Sequence, residues 1–309
     1  MTDLISIADL APEEVRALLD LAHRIKKKPR RFRKALRRKT LAMIFMKAST
    51  RTRVSFEVAM HQLGGLAIFL SSRDIQIGRG EPISDTAQVL SRYCDAIMAR
   101  TYKHQDVIEL AAHATVPVIN GLTDFNHPCQ ALSDLLTIEE KLGALEGLTM
   151  AWIGDGNNMA HSLMSACVKT GMHFRAASPD GYDMDRDAVT RAKNQALESG
   201  STVVETRDPK EAIAGAHVVC TDVWASMGQE EEHQKRVAAF QGYMVDDALM
   251  ALAHPGAIFM HCLPAHRGEE VAASVCDGPQ SVIFDQAENR LHMQKAILVS
   301  LIGRRAAEK

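Results

Sequence analysis

From Leu41 onward, short runs of consecutive apolar residues alternate with longer stretches whose apolar positions return every three or four residues. The first kind reads as strand covered on both faces and the second as amphipathic helix, which needs only one apolar stripe. In the first half the series is strand "LAMIF", helix "RVSFEVAMHQL" stopped at Gly64 and Gly65, strand "LAIFL", helix "SDTAQVLSRY", strand "DAIMAR", helix "HQDVIELAAH", strand "VPVIN" and helix "HPCQALSDLLTIEEKLG". Ahead of it, Pro12, Glu13 and Glu14 open a helix with Val15, Leu18, Leu19, Leu21 and Ala22 on its apolar face.

A second series starts at "LTMAWIGDGNNMAHSLMSACVKTG", a strand, a glycine turn and a helix, and continues with strand-like "HFRAASP", "STVVETR", "HVVCTDVW", "AIFMHCLP" and "SVIFD". Repeated β-α units require crossovers, and crossovers imply parallel pairing. The expected class is α/β, with two doubly wound domains, each a mostly parallel sheet flanked by helices. The break falls at "KLGALEGL", giving domains at residues 1–144 and 145–287, with a C-terminal helix at about 288–309 packing back on the first.

Composition changes this picture little. The 309 residues are long for a single core, and 46% hydrophobic with 24% charged residues is an ordinary globular balance. With 36 Lys+Arg against 38 Asp+Glu the net charge is -2, which excludes a strong overall pull toward nucleic acid or anionic membranes. The local exception, "RIKKKPRRFRKALRRK", reads as a polyanion patch or as a solvated helix end and loop. The second reading is favoured because no pattern of interleaved aromatics accompanies it. Cys94, Cys129, Cys167, Cys220, Cys262 and Cys276 form no C-x-x-C pair, so neither a disulfide framework nor a structural zinc site is indicated. An acidic beginning without a signal-peptide pattern, and the lack of any apolar run of about 18 residues, lead us to expect a cytoplasmic protein.

In open α/β sheets ligands bind beyond the carboxyl ends of the strands, so the residues that follow each strand carry the candidate chemistry. After "LAMIFM" come Ser49, Thr50, Arg51, Thr52 and Arg53 at a helix start, where backbone N–H groups and two guanidiniums suit a phosphate. After "DAIMA" comes Arg100, and after "VPVIN" come His127, Pro128, Cys129 and Gln130. Singly each has a bland explanation: a helix cap for Ser49 or Thr50, a structural ion pair for Arg53, a helix-start residue for His127. In the second half, "WIGDGNNMA" matches a dinucleotide fingerprint poorly, with Met159 at the third glycine, whereas Asn157 and Asn158 offer amides to a zwitterion. Asp222 reads as an ammonium ligand or a turn aspartate, and Cys262 as a site thiol or a small buried apolar residue.

The blocks "STRTRVSFE", "IQIGRGEPISDTAQVLSRYCDAIMART", "HPCQALSDLLTI", "DVWASMGQE", "HCLPAHRGEEV" and "FDQAENRLHMQKAIL", in this order, closely resemble the ornithine carbamoyltransferases from about Leu41 to Leu301. Met46 and Ala48 depart from the family's acidic residue and proline ahead of the phosphate loop, which bears on loop rigidity and on no ligand position. The aspartate carbamoyltransferases share the first-domain loop but lack "DVWASMG" and differ at "HCLP". The resemblance implies that Ser49, Thr50, Arg51, Thr52 and Arg100 bind the phosphate of carbamoyl phosphate, while Arg100, His127 and Thr52 polarise its carbonyl oxygen. It places Pro128, Cys129 and Gln130 beside them, with Gln130 and the backbone around Cys262 and Leu263 holding the carbamoyl amide, and Arg290 closing over the site. It gives ornithine to Asn158, Asp222, Ser226 and Met227, with Cys262 near the reacting amine. Gln76 would reach a neighbouring subunit's pocket, which makes the protein a homotrimer. No metal or organic cofactor, nucleic acid or membrane is implied. A related amine, such as an acylated ornithine or putrescine, is the alternative acceptor.

Overall fold

The computed structural model describes residues 1–72, 80–225 and 232–303. The chain divides into two compact units, Met1–Leu136 with Glu288–Lys309, and Thr137–Ala287.

In the first unit, helices α1 (Pro12–Lys27) and α2 (Pro29–Phe32) precede the regular alternation. Strand β1 (Thr40–Phe45) is followed by α3 (Thr50–Gln62), β2 (Leu66–Ser71), α4 (Ile83–Tyr93), β3 (Ala96–Arg100), α5 (His104–His113), β4 (Val118–Leu122) and α6 (Pro128–Leu142). All pairings are parallel, in the order β2-β1-β3-β4. Ala42, Ile44, Ile97, Ala99, Val107, Leu110 and Val118 form a buried cluster between this sheet and its helices. Because β1 leads outward to β2 while β3 leads the other way to β4, the strand order reverses between β1 and β3, which is where such sheets open a crevice. Phe45 is level with Arg100 there, and the Met46 N–H donates to the Arg100 carbonyl at 2.9 Å. A register shift at Ala99 and Arg100 against β4 re-aims the strand end at the same place.

The segment expected as strand "VPVIN" is displaced by two residues, to Val118–Leu122. Pro117 has no N–H to give a ladder, and the Val118 N–H goes to the Asp3 carboxylate at 2.7 Å. Leu4 then bridges Ile119 in parallel, covering the open side of β4 with the chain's own first residues.

The second unit runs β5 (Thr149–Ile153), α7 (Asn158–Lys169), β6 (His173–Ala177), α8 (Arg186–Ser199), β7 (Val203–Thr206), α9 (Pro209–Ile213) and β8 (Val218–Thr221). It continues with α10 (His233–Ala239), α11 (Asp247–Met250), β9 (Ile258–His261), α12 (Ala273–Cys276) and the start of α13 (Ile283–Ile302), whose residues from Glu288 onward belong to the first unit. Its parallel sheet has the order β7-β6-β5-β8-β9, reversing between β5 and β8. One buried cluster joins Ile153, Val219 and Phe259 of the sheet to Trp224, Phe240 and Val245. The expected sixth strand, "SVIFD", is absent: Ser281 makes a single bridge to Phe259, and α13 begins two residues later at Ile283, ahead of the expected start near 288. A short apolar run fits the start of a helix as well as it fits a strand, and here the helix prevails, with Ile283 buried and Phe284 exposed. No helix among the described residues is long and apolar enough to cross a membrane.

Candidate active site

At the β1/β3 switch point, Ser49 caps α3 by accepting from the Thr52 N–H at 3.2 Å, so the helix begins at Thr50, the residue after the cap. The first-turn N–H groups of α3 and its positive dipole end therefore lie at the sheet's carboxyl edge. The two arginines of the loop part company. Arg53 pairs with Glu57 at 2.9 Å and lies 3.7 Å over the Phe69 ring, which gives it the structural role, whereas Arg51 is exposed at the helix start.

Thr52, Arg100, His127, Gln130 and Arg290 are all buried polar residues. Arg290, from α13, donates through Nη1 to Gln130 Oε1 at 2.6 Å and through Nη2 to Thr52 Oγ1 at 3.2 Å. Gln130 passes the connection on, its amide nitrogen donating to Asp134 at 2.8 Å. Pro128 opens α6 with the missing N–H that a first helical position does not use. Cys129, expected at the site, is wholly buried beneath it, its thiol donating to the Asn120 carbonyl and pushed up to about 12 by burial. His127 is held well below the usual imidazole range, by burial first and then by the positive charges of Arg290, Arg100, Arg51 and Lys47. A neutral imidazole among four cations is suited to donate a hydrogen bond without taking up a proton. Lys47 is a member of this set that the strand-end reading missed, although it stands in the same loop.

At the β5/β8 switch point of the other unit, Asn157 caps α7, accepting from the N–H groups of Met159 and Ala160. Its amide nitrogen reaches Asp222 Oδ2 at 3.4 Å. Gly156 packs so closely that a Cβ there would meet Met184 N at 2.2 Å, which fixes glycine in this turn. Asp222 is 8% exposed, and its Oδ1 accepts from the Val223 N–H at 2.9 Å and from the Cys262 thiol at 3.2 Å. Asn158 is half-buried at the first position of α7. Leu263, beside Cys262, sits at φ 61, a left-handed conformation that costs a branched residue energy and is retained where the surroundings enforce it. The enforcing group is His261: its Nδ1 accepts from the Leu263 N–H at 2.9 Å, which leaves Nε2–H to donate to Glu270 at 3.1 Å. His261 and Glu270 are fully buried. Glu270 was not singled out from the sequence, and His261 stood out only as a strand-end residue without a role; a histidine next to the candidate thiol with a glutamate in the following loop was the available signal. Gln76, Ser226 and Met227 lie outside the described residues.

One unit thus gathers cations and helix-start N–H groups at its switch point, and the other gathers a carboxylate, a thiol and side-chain amides at its own. Such a chain is equipped as a two-substrate transferase, with an anionic donor substrate and an amine-bearing acceptor. Residues 2–140 match the family model described as aspartate/ornithine carbamoyltransferase, carbamoyl-P binding domain, and residues 146–301 match aspartate/ornithine carbamoyltransferase, Asp/Orn binding domain. The chain belongs to the aspartate/ornithine carbamoyltransferase family. It is 60% identical over 302 residues to the ornithine carbamoyltransferase of Anoxybacillus flavithermus, covering 97% of this chain and 96% of that protein. It is 53% identical to the anabolic ornithine carbamoyltransferase of Pyrococcus furiosus, covering 97% and 96% respectively. A solved ornithine carbamoyltransferase structure from Pyrococcus furiosus superposes with a TM-score of 0.94 at 53% identity, covering 97% of this chain and 96% of that one.

Proposed function

We infer that this chain is an ornithine carbamoyltransferase of arginine biosynthesis, moving the carbamoyl group of carbamoyl phosphate to the δ-amine of L-ornithine to give citrulline and phosphate. The observation that carries the reading is the mesh of Arg290, Thr52 and Gln130 beside a neutral His127 at the start of α3. The phosphate belongs to the hydroxyls and N–H groups of Ser49, Thr50 and Thr52 with Arg51 and Arg100. Arg100, His127 and Thr52 donate to the carbonyl oxygen, whose charge grows as the amine adds. The new C–N bond forms a tetrahedral intermediate, the C–O bond to phosphate then breaks, and the electron pair leaves with the phosphate oxygen. Gln130 and the backbone around Cys262 and Leu263 hold the carbamoyl amide, next to Pro128 and Cys129.

An ornithine amine resembling that of lysine, with a pKa of about 10.4, must lose its proton before it attacks. Asp222 and Cys262 receive that ammonium group, whose first proton passes to solvent, Asn158, Ser226 and Met227 hold the remainder of the amino acid, and the departing phosphate accepts the second proton, shed by the attacking nitrogen once the C–N bond has formed. Formation of citrulline from carbamoyl phosphate and ornithine is the test. Turnover with aspartate, acylated ornithine or putrescine in the absence of turnover with ornithine overturns the acceptor assignment.

The protein is further proposed to be a cytoplasmic homotrimer in which Gln76 completes a neighbour's pocket. Sedimentation giving a monomer with full activity is the result against this assembly.

A further inference from the structure

Among the described residues, two groups of His, Cys, Asp and Glu place their donor atoms within 4.8 Å of one another: Asp222, His261 and Cys262, and His266, Glu269 and Glu270. In the first group the histidine is committed, since Nδ1 accepts from Leu263 and Nε2 faces Glu270. The second group lies in the loop after β9, outside the set assigned to the reaction, and its donor atoms are disposed differently.

Glu270 is 0% exposed. Its Oε1 is occupied, accepting from the His266 N–H at 2.6 Å and facing His261 Nε2 at 3.1 Å. Its Oε2 is buried with no hydrogen-bond partner, a costly state for a carboxylate oxygen. That oxygen lies 3.9 Å from His266 Nδ1, and His266 Nδ1 lies 3.9 Å from Glu269 Oε2. Glu269 Oε2 is in turn 3.1 Å from Nε2 of His233, at the start of α10.

We propose that His266, Glu269 and Glu270, the second of them held in place by His233, form a binding site for a first-row divalent metal ion, Zn2+ above all. The two carboxylates neutralise the ion's charge, and imidazole with carboxylate is a donor set that zinc accepts. Tetrahedral zinc with bonds of about 2.0 to 2.2 Å separates its ligand atoms by about 3.4 Å, so the 3.9 Å spacings must contract by only about half an ångström. His266 and Glu269 can supply that movement because they are 47% and 32% exposed, while the buried Glu270 fixes the position of the ion. Occupancy would give Glu270 Oε2 a closer partner than the His266 ring at 3.9 Å, which is too far for a hydrogen bond.

The experiment is zinc binding to the metal-stripped full-length protein, by calorimetry and by metal analysis after dialysis. One zinc per chain is expected, bound at least about tenfold more weakly by His266→Ala and by Glu269→Gln, with Cys262→Ser binding as the parent does. Cobalt in place of zinc should give a tetrahedral visible spectrum without a thiolate charge-transfer band. The proposal is overturned if no zinc binds at micromolar concentration. It is equally overturned if binding survives both loop variants or is lost in Cys262→Ser, since either outcome would put the ion elsewhere.

Discussion

The Cys262 thiol donates to Asp222 Oδ1 at 3.2 Å although the residues are 40 positions apart, one following β9 and the other following β8. The adjacent parallel strands β8 and β9 place Thr221 opposite His261, so the next residue of each strand falls at the same level. If Asp222 accepts from the ornithine ammonium as well, the contact contributes about 1.5 to 3 kcal/mol. Asp222→Ala should then lower kcat/KM for ornithine by roughly ten- to a hundredfold, with affinity for a carbamoyl-phosphate analogue little changed. A turn aspartate alone would give a lower melting temperature with kinetics preserved, and the same variant measured both ways decides.

Arg51→Ala should reduce kcat by about 10²-fold or more, as loss of a preorganised anion donor does, while the circular dichroism spectrum is unchanged. Arg53→Ala serves as the contrast. Its guanidinium is spent on Glu57 and Phe69, so it should lower stability while leaving kcat within a few-fold of the parent. Equal kinetic losses in the two variants would contradict this division of labour.

The depressed basicity of His127 has a sign that can be checked. Unfolded, the imidazole takes up a proton near pH 6.5, but in the folded chain burial and four cations keep it neutral well below that. Between those two values the unfolded state binds the extra proton, so stability is full above about pH 6.5 and falls as the pH drops, by up to about 1.4 kcal/mol per unit. His127→Gln keeps a donor and removes the titration. Its urea-unfolding free energy should lose this component of the slope; identical slopes in parent and variant would mean that His127 titrates normally.

Arg236, 7% exposed, donates to Asp155 at 2.8 Å and to the Trp224 carbonyl at 2.9 Å. Burial raises the Asp155 carboxyl despite the arginine beside it, so the pair is held at a desolvation cost. Asp155→Ala leaves the buried guanidinium with only the exposed Glu232 as a carboxylate partner, at 3.3 Å, and should cost about 3 kcal/mol in chemical denaturation. Asp155→Ala combined with Arg236→Met should recover much of that loss.

The alternation of apolar runs was enough to read both parallel sheets, because strands buried on two faces and helices with one apolar stripe leave different periods in the sequence. It failed at "SVIFD", where α13 begins with an apolar residue on its exposed side, Phe284 at 72% exposed, so that Val282, Ile283 and Phe284 run together as an apolar stretch and hide the helical period. The arginines of the loop after β1 were legible as an anion site from residue type, but their separation into Arg51 and Arg53 was not, since it depends on Phe69 lying on the neighbouring strand. His261 and Glu270 escaped for a similar reason: their pairing depends on how the loop after β9 folds back, and spacing along the chain does not encode that. The lone Glu270 oxygen is likewise a property of packing rather than of pattern.

The bond from Arg290 to Thr52 spans 238 residues. On the ribosome, at roughly 5 to 20 residues per second, Thr52 emerges some 10 to 50 seconds before its guanidinium partner has been made. All four strands of the first sheet are synthesised before Arg290, whereas the stretch from Glu288 onward that completes the first unit is not. On the proposed assignment of Arg290, the grip on the donor substrate therefore waits for α13 to be made, and a chain truncated ahead of that helix should fail to hold carbamoyl phosphate.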